Sequence, residues 1–182
     1  MNRINVVGTT GSGKSTVAAS LAEIMSCPCI HLDQLYWGPN WQESPDDQFF
    51  LDLSEAISGD VWVLDGNYSR TEKLKFDLAD TIIWLDFGRL RNFLQLLRRT
   101  IIRAWTKEEL WPNTGNRESF KKSFFSKDSI LLWYLRSFDS NRKKYNRMMH
   151  SSEYASLKII RLRNPKQVSR FLEDAKNASS TP

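Results

Sequence analysis

A chain of 182 residues, 41% hydrophobic and 26% charged, has the make-up of a globular protein of one domain and excludes a disordered or fibrous one. Its apolar runs fall far short of a membrane span, and the opening Met1-Asn2-Arg3-Ile4-Asn5-Val6-Val7-Gly8 is too short an apolar stretch for a secretory signal. A cytoplasmic protein with no membrane partner is expected. The net charge of +5 conceals an imbalance, because residues 89–147 hold 15 Lys and Arg against 5 Asp and Glu, a surplus of +10 that leaves −5 elsewhere. Such a segment suits nucleic acid or a phosphorylated substrate, and charge alone does not choose between them.

The first apolar run, Ile4–Val7, reads as a buried strand and passes directly into Gly8-Thr9-Thr10-Gly11-Ser12-Gly13-Lys14-Ser15-Thr16. This satisfies GxxxxGK[ST] between a strand and a helix, here Ser15–Met25, which is the context the motif needs. Its glycines let successive N–H groups point inward at a β-phosphate, and the helix adds its positive end. Lys14 is expected to bridge β- and γ-phosphates and the Ser15 hydroxyl to ligate Mg²⁺, so the cofactors implied are ATP or GTP with magnesium.

Next come Cys27 and Cys29, flanking Pro28; their spacing suits neither a CxxC redox pair nor a four-ligand zinc site, and both are expected as buried, reduced thiols. The run Cys29–Leu32 reads as a second strand ending in Asp33, on the sheet edge where α/β proteins bind ligands. Asp33 is therefore a candidate to take an acceptor's proton or to hold a magnesium water. Tyr36, Trp37 and Trp41 follow in a turn-rich stretch, where they serve either to pack an acceptor flap, about 33–60, against the core or to stack on an acceptor. A helix with its cap at Ser44-Pro45 then precedes the strand Val61–Leu64. That strand ends in Asp65, placed to hold magnesium through water, with Gly66 where a motor ATPase carries a glutamate. Hydrolysis as the main purpose is thus disfavoured, and the absence of an NKxD segment removes the guanine-reading element of regulatory GTPases.

Thr81–Leu85 forms a fourth strand, followed by Asp86, expected in a structural ion pair. From Leu90 the spacing Leu90, Phe93, Leu94, Leu97, Ile101 predicts an apolar helical stripe with Arg99 and Arg103 together on another face. Thr106–Ser119 reads as an exposed loop, the centre of a lid at about 104–120. Arg99, Arg103 and, beyond the loop, Arg117 are candidates to stabilise charge on a moving phosphoryl group. A helix over Lys127–His150, a fifth strand at Leu157–Leu162 and a frayed tail from Asn177 complete the chain. His31 and His150 receive no role. The alternation of strand and helix predicts an α/β fold: a three-layer αβα sandwich of the P-loop NTPase class with five parallel strands.

These motifs together resemble the nucleoside-monophosphate-kinase branch of P-loop proteins. Val63-Leu64-Asp65-Gly66-Asn67-Tyr68-Ser69-Arg70-Thr71 is similar to the adenylate-kinase segment LDGFPRT, with one extra residue before the arginine. A closer resemblance is to adenylate-kinase-like proteins described as DNA-topology-modulation or flagellar-regulator proteins. It runs through His31-Leu32-Asp33-Gln34-Leu35-Tyr36-Trp37, Pro39-Asn40-Trp41, Asp65-Gly66-Asn67-Tyr68 and Gly115-Asn116-Arg117-Glu118. The resemblance implies strand order 2-3-1-4-5, an acceptor-binding insert after strand two, a lid after Arg99, Arg70 at the acceptor, and Asn164-Pro165 bordering the nucleotide base. One departure is informative: no arginine lies between Arg3 and Arg70, so the clamp for an AMP phosphate is missing. Residues 33–60 are acidic and fit an uncharged or cationic acceptor better. The expected activity is transfer of a γ-phosphoryl group to a small molecule; the alternative is a nucleotide-dependent nucleic-acid-binding regulator.

Overall fold

The computed structural model describes residues 1–111, 114–126 and 129–179. Five parallel strands, β1 (Arg3–Gly8), β2 (Cys29–His31), β3 (Trp62–Asp65), β4 (Thr81–Leu85) and β5 (Lys158–Leu162), form one sheet in the order β2-β3-β1-β4-β5. Strands β1, β3 and β4 are buried almost throughout, which their unbroken apolar runs require of a sheet covered on both faces. On one face Ile4, Val6, Val63, Ile83 and Leu162 pack against α1 (Lys14–Met25) and α8 (Pro165–Ser179). On the other, Val7, Ile82 and Trp84 meet Tyr145 and Met148 of α7 (Ile130–Met148). At the β2 end, Ile30, Trp62 and Leu64 meet α2 (Leu32–Tyr36) and α3 (Asp46–Ala56). This is the expected three-layer α/β sandwich.

The register decides which residues share the sheet's C-terminal edge. Val6 and His31 both lie opposite Asp65, and Gly8 lies opposite Leu85. Every crossover helix then returns the chain to the N-terminal edge, so all strand exits open on one side.

Several expectations change. Asp33 does not end β2: the strand stops at His31, and Asp33 sits in the first turn of α2, where a carboxylate meets the positive helix end. Helices α4 (Glu72–Leu78), α6 (Phe120–Phe125) and α8 are additions, and α7 begins at a Ser129 cap whose hydroxyl accepts the Leu131 N–H. Lys127 lies outside the described residues, as do Pro112, Asn113 and the last three residues of the tail. Cys27 and Cys29 are free but only half-buried. In α5 (Arg89–Thr106) the buried face is Asn92, Leu96, Thr100 and Ala104, whereas Leu90 and Leu94 of the expected stripe are 72% and 54% exposed. The neighbours set that choice: Leu96 packs on Tyr134 and Phe138 of α7, and a Cβ at Gly11 would stand 2.6 Å from Leu96 Cβ.

Candidate active site

The phosphate loop leaves β1 at Gly8 and enters α1 through Gly13. Gly11 and Gly13 hold φ of +80° and +86°, a region open to glycine, and at Gly11 the contact with α5 leaves no room for a side chain. Ser12 N–H donates to Thr9 O at 3.1 Å, closing the loop's turn. No side chain caps α1 at Gly13, so the N–H groups of its first turn remain directed at the loop's mouth. Lys14 is half-exposed there, and Ser15 and Thr16 are exposed beside it.

Asp65 stands at the edge of this mouth. Its Oδ2 lies 3.1 Å from His31 Nδ1, while its Oδ1 is buried without a hydrogen-bond partner. Burial opposes ionisation, but the His31 hydrogen bond, the Lys14 charge and the nearby Ser15 hydroxyl hold the carboxyl below its ordinary range. The same pairing, with a further contact to Cys29 Sγ at 3.6 Å, lifts His31 to about 10, so the imidazole is a cation at neutral pH. An orphaned carboxylate oxygen next to a P-loop serine hydroxyl is a donor set that fits magnesium, whose remaining positions would be water and phosphate oxygens. Among the described residues no cluster of three His, Cys, Asp or Glu could hold a metal ion.

Across the mouth, Asp33 is exposed and accepts the Tyr68 hydroxyl at 2.8 Å. Burial first, and then the Asp33 charge, push the Tyr68 phenol up, so it stays a donor. Arg99 is brought to the same place from α5. Its Nε is buried with no partner, and its pKa is lowered by burial and by Arg103, against the attraction of Glu118, Asp33 and Asp65. One guanidinium thus feels both acids of the site. Arg103 is turned aside to Glu118 at 3.4 Å. Arg117 is exposed, and its backbone forms an isolated antiparallel bridge with Glu109.

The aromatic residues of the flap are packed together. Tyr36 is buried against Trp37, Phe49 and Tyr68, and Trp37, Trp41 and Trp111 continue the row edge to face. Arg70 lies over the Tyr36 ring at 4.6 Å and pairs with Asp46. Asn116, fully buried, ties lid to flap: its Oδ1 accepts the Trp41 N–H at 2.6 Å and its Nδ2 donates to Gly38 O at 2.9 Å. Asn164 and Pro165 open α8, the Asn164 side chain accepting the Gln167 N–H at 3.0 Å. Asp86 forms the expected ion pairs, to Arg161 and to Arg142 at 3.0 Å.

Sequence reasoning passed over His31, Asn67, Tyr68 and Asn116. The first had a signal, since neighbouring parallel strands that end in register bring their last residues side by side. For the others the signal was only their place in the quoted motifs.

No protein-family model and no curated protein matches the chain. Solved structures do. A gluconokinase from Sinorhizobium meliloti 1021 superposes with a TM-score of 0.53 at 16% identity, over 98% of this chain and 91% of that one. A sugar kinase from Janibacter sp. HTCC2649 superposes with a TM-score of 0.51 at 15% identity, over 100% of this chain and 99% of that one. The fold shared with them is the α/β sandwich around a five-stranded parallel sheet. At such identities the likeness is one of architecture, extending across nearly the whole of both chains. No helix among the described residues is long and apolar enough to cross a membrane.

Proposed function

We propose that this P-loop chain is a magnesium-dependent kinase that transfers the γ-phosphoryl group of ATP to a hydroxyl of a small, uncharged acceptor. The carrying observation is Arg99, a half-buried cation whose Nε has no hydrogen-bond partner and on which the charges of Glu118, Asp33 and Asp65 act together. A structural arginine is normally fully paired; one with a nitrogen left unpartnered in the field of the site's acids is suited to charge that arrives with the substrate.

Each residue then has a task. The loop's N–H groups and Lys14 bind the phosphates, and Ser15 with Asp65 would hold magnesium, which when bound neutralises β- and γ-oxygens. Asp33 accepts the proton of the acceptor hydroxyl as its oxygen bonds to the γ-phosphorus and the bond to the β–γ bridging oxygen breaks. Tyr68 orients Asp33 by occupying one of its oxygens. Arg99 faces the charge spread over the transferred group.

The acidic flap and the lack of an arginine between Arg3 and Arg70 favour a neutral acceptor over a nucleoside monophosphate. The names of the similar structures, a gluconokinase and a sugar kinase, favour a polyhydroxylated compound. The finer resemblance to adenylate-kinase-like regulators rests on the quoted motifs. Four of the 15 basic residues in 89–147 are engaged internally, through Arg89–Asp139, Arg103–Glu118, Arg142–Asp86 and Lys144–Glu72, which lessens the charge open to a nucleic acid.

The test is incubation with labelled ATP-Mg²⁺ and a panel of polyols, sugar acids, nucleosides and nucleotides, with product detection. Label should reach a neutral polyol or nucleoside, and Lys14→Ala and Asp33→Ala should abolish it; transfer to sugar acids or nucleotides instead would overturn the neutral acceptor. Transfer that survives both substitutions would refute the assignment.

A further inference from the structure

The turn Asp65-Gly66-Asn67-Tyr68 grips the phosphate loop from behind. Asn67 Oδ1 accepts the Gly8 N–H at 3.1 Å, and Asn67 Nδ2 donates to Gly8 O at 2.8 Å. One carboxamide therefore brackets both polar groups of the glycine at which the sheet gives way to the loop. Because a backbone N–H only donates and a carbonyl only accepts, no flipped amide would satisfy the pair. Tyr145 of α7 donates its hydroxyl to the same Oδ1 at 3.1 Å.

Buried polar groups support this turn from three elements. Asn5 of β1 donates to Gly66 O at 3.2 Å. Lys75 of α4, with no exposed surface, donates to the carbonyls of Asn67 and Tyr68 and has no carboxylate partner among the described residues. Tyr145 is buried as well. A link between β3 and α4 needs none of this, and a buried lysine is costly to keep. Gly8 itself has φ of +154°, with Leu85 O and Ser12 Oγ each 2.8 Å from where a Cβ would stand. Its peptide plane determines where the following N–H groups point.

We propose that Asn67 is a positioning residue of the phosphate loop, oriented by Tyr145 and supported by Lys75, which fixes the Gly8 peptide relative to the turn carrying Asp65. The cradle and the magnesium-side acid are thereby held at one separation before any nucleotide arrives. The inference rests on the reading of Gly8–Thr16 as a phosphate site. Asn67 acts through Gly8 and takes no part in the chemistry.

The test is calorimetric titration of the full chain with ATP-Mg²⁺, well below the melting temperature, for the unsubstituted protein, Asn67→Ala, Tyr145→Phe, their double variant and Lys14→Ala. Loss of the bracket should weaken ATP about tenfold or more in Asn67→Ala and roughly three- to tenfold in Tyr145→Phe. The double variant should be no weaker than Asn67→Ala, since the hydroxyl acts only through the amide. Amide exchange at Gly8 should accelerate in both single variants. A purely structural role predicts lower melting temperatures with unchanged ATP affinity, and that result overturns the proposal, as do additive losses. Tyr145→Phe removes a single atom, so ATP affinity unchanged in that variant is decisive even if Asn67→Ala does not fold. Binding that Lys14→Ala abolishes but both bracket variants retain defeats the bracket alone; no binding by the unsubstituted chain defeats the phosphate site with it.

Discussion

His31 Nδ1 lies 3.1 Å from Asp65 Oδ2, joining the last residues of two register-paired parallel strands at the mouth of the phosphate loop. This contact and the buried Lys75 have opposite consequences for stability against pH. His31 is raised from 6.5 to about 10, so its contribution is complete below 6.5 and is lost as pH rises through 10. Lys75 is lowered by burial from 10.5 to about 7, so the cost of holding its charge is full below 7 and disappears as pH rises toward 10.5. In magnesium-free buffer the two slopes should largely cancel between pH 7 and 10. His31→Gln should then grow more stable with rising pH, and Lys75→Met less stable, each by on the order of 2 kcal/mol across the window. Urea denaturation at several pH values measures it; two parallel flat profiles would contradict both assignments.

Arg99 is the substitution in which activity and stability should part company. Removing a half-buried cation whose Nε has no partner costs the fold little, so Arg99→Met should melt within a few degrees of the parent. Phosphoryl transfer should fall about 10²-fold or more, because a preorganised charge at the moving group is lost. Arg99→Lys should recover part of the rate. Thermal melts beside acceptor-phosphorylation rates decide the matter, and a normal rate in Arg99→Met would remove Arg99 from the mechanism.

Gly11→Ala and Gly115→Ala offer a matched pair. Both positions have positive φ, +80° and +68°, so alanine strains each backbone by about 1 kcal/mol. At Gly11 the new Cβ also stands 2.6 Å from Leu96 Cβ, whereas at Gly115 nothing lies within 4 Å. Gly11→Ala should therefore lose roughly 2–4 kcal/mol and ATP binding, and Gly115→Ala only the smaller, conformational part. Equal losses would show that α5 is not seated against the loop.

Asn116 holds the lid to the flap, where Asn40 and Trp41 adopt φ of +56° and +64°. Asn116→Ala should cost about 1–3 kcal/mol by leaving Trp41 N–H and Gly38 O without their partner. The loss should be local, visible as faster amide exchange at Asn40 and Trp41 with β1 and β4 unaffected. Uniformly faster exchange through the sheet would instead make Asn116 part of the global core.

Local chemistry carried much of the site into view. The spacing of Gly8 to Ser15 is itself the cradle, and the apolar runs of β1, β3 and β4 are buried strands because nothing polar interrupts them. The termination of β3 at Asp65 follows from the same pattern, and so does the pairing of Asp86 with cations. The α5 stripe shows the boundary of that kind of inference. Leu90, Phe93, Leu94, Leu97 and Ile101 do share one side of a helix, yet the fold buries Asn92, Leu96, Thr100 and Ala104 instead.

The sequence by itself thus determined the five strands, the glycine-rich turn after β1 and the acids Asp65 and Asp86 at strand ends, since each depends on residues within a few positions of one another. Only the tertiary structure decided that His31 meets Asp65, that Arg99 comes within the influence of Asp33 and Asp65, and that Asn67 clasps Gly8 from 59 residues away. Those pairings follow from strand order, register and the close approach of α5 that a Cβ at Gly11 would forbid. They are set by which surfaces can be packed together without leaving buried polar groups unmet, a condition on the whole chain that no short window contains.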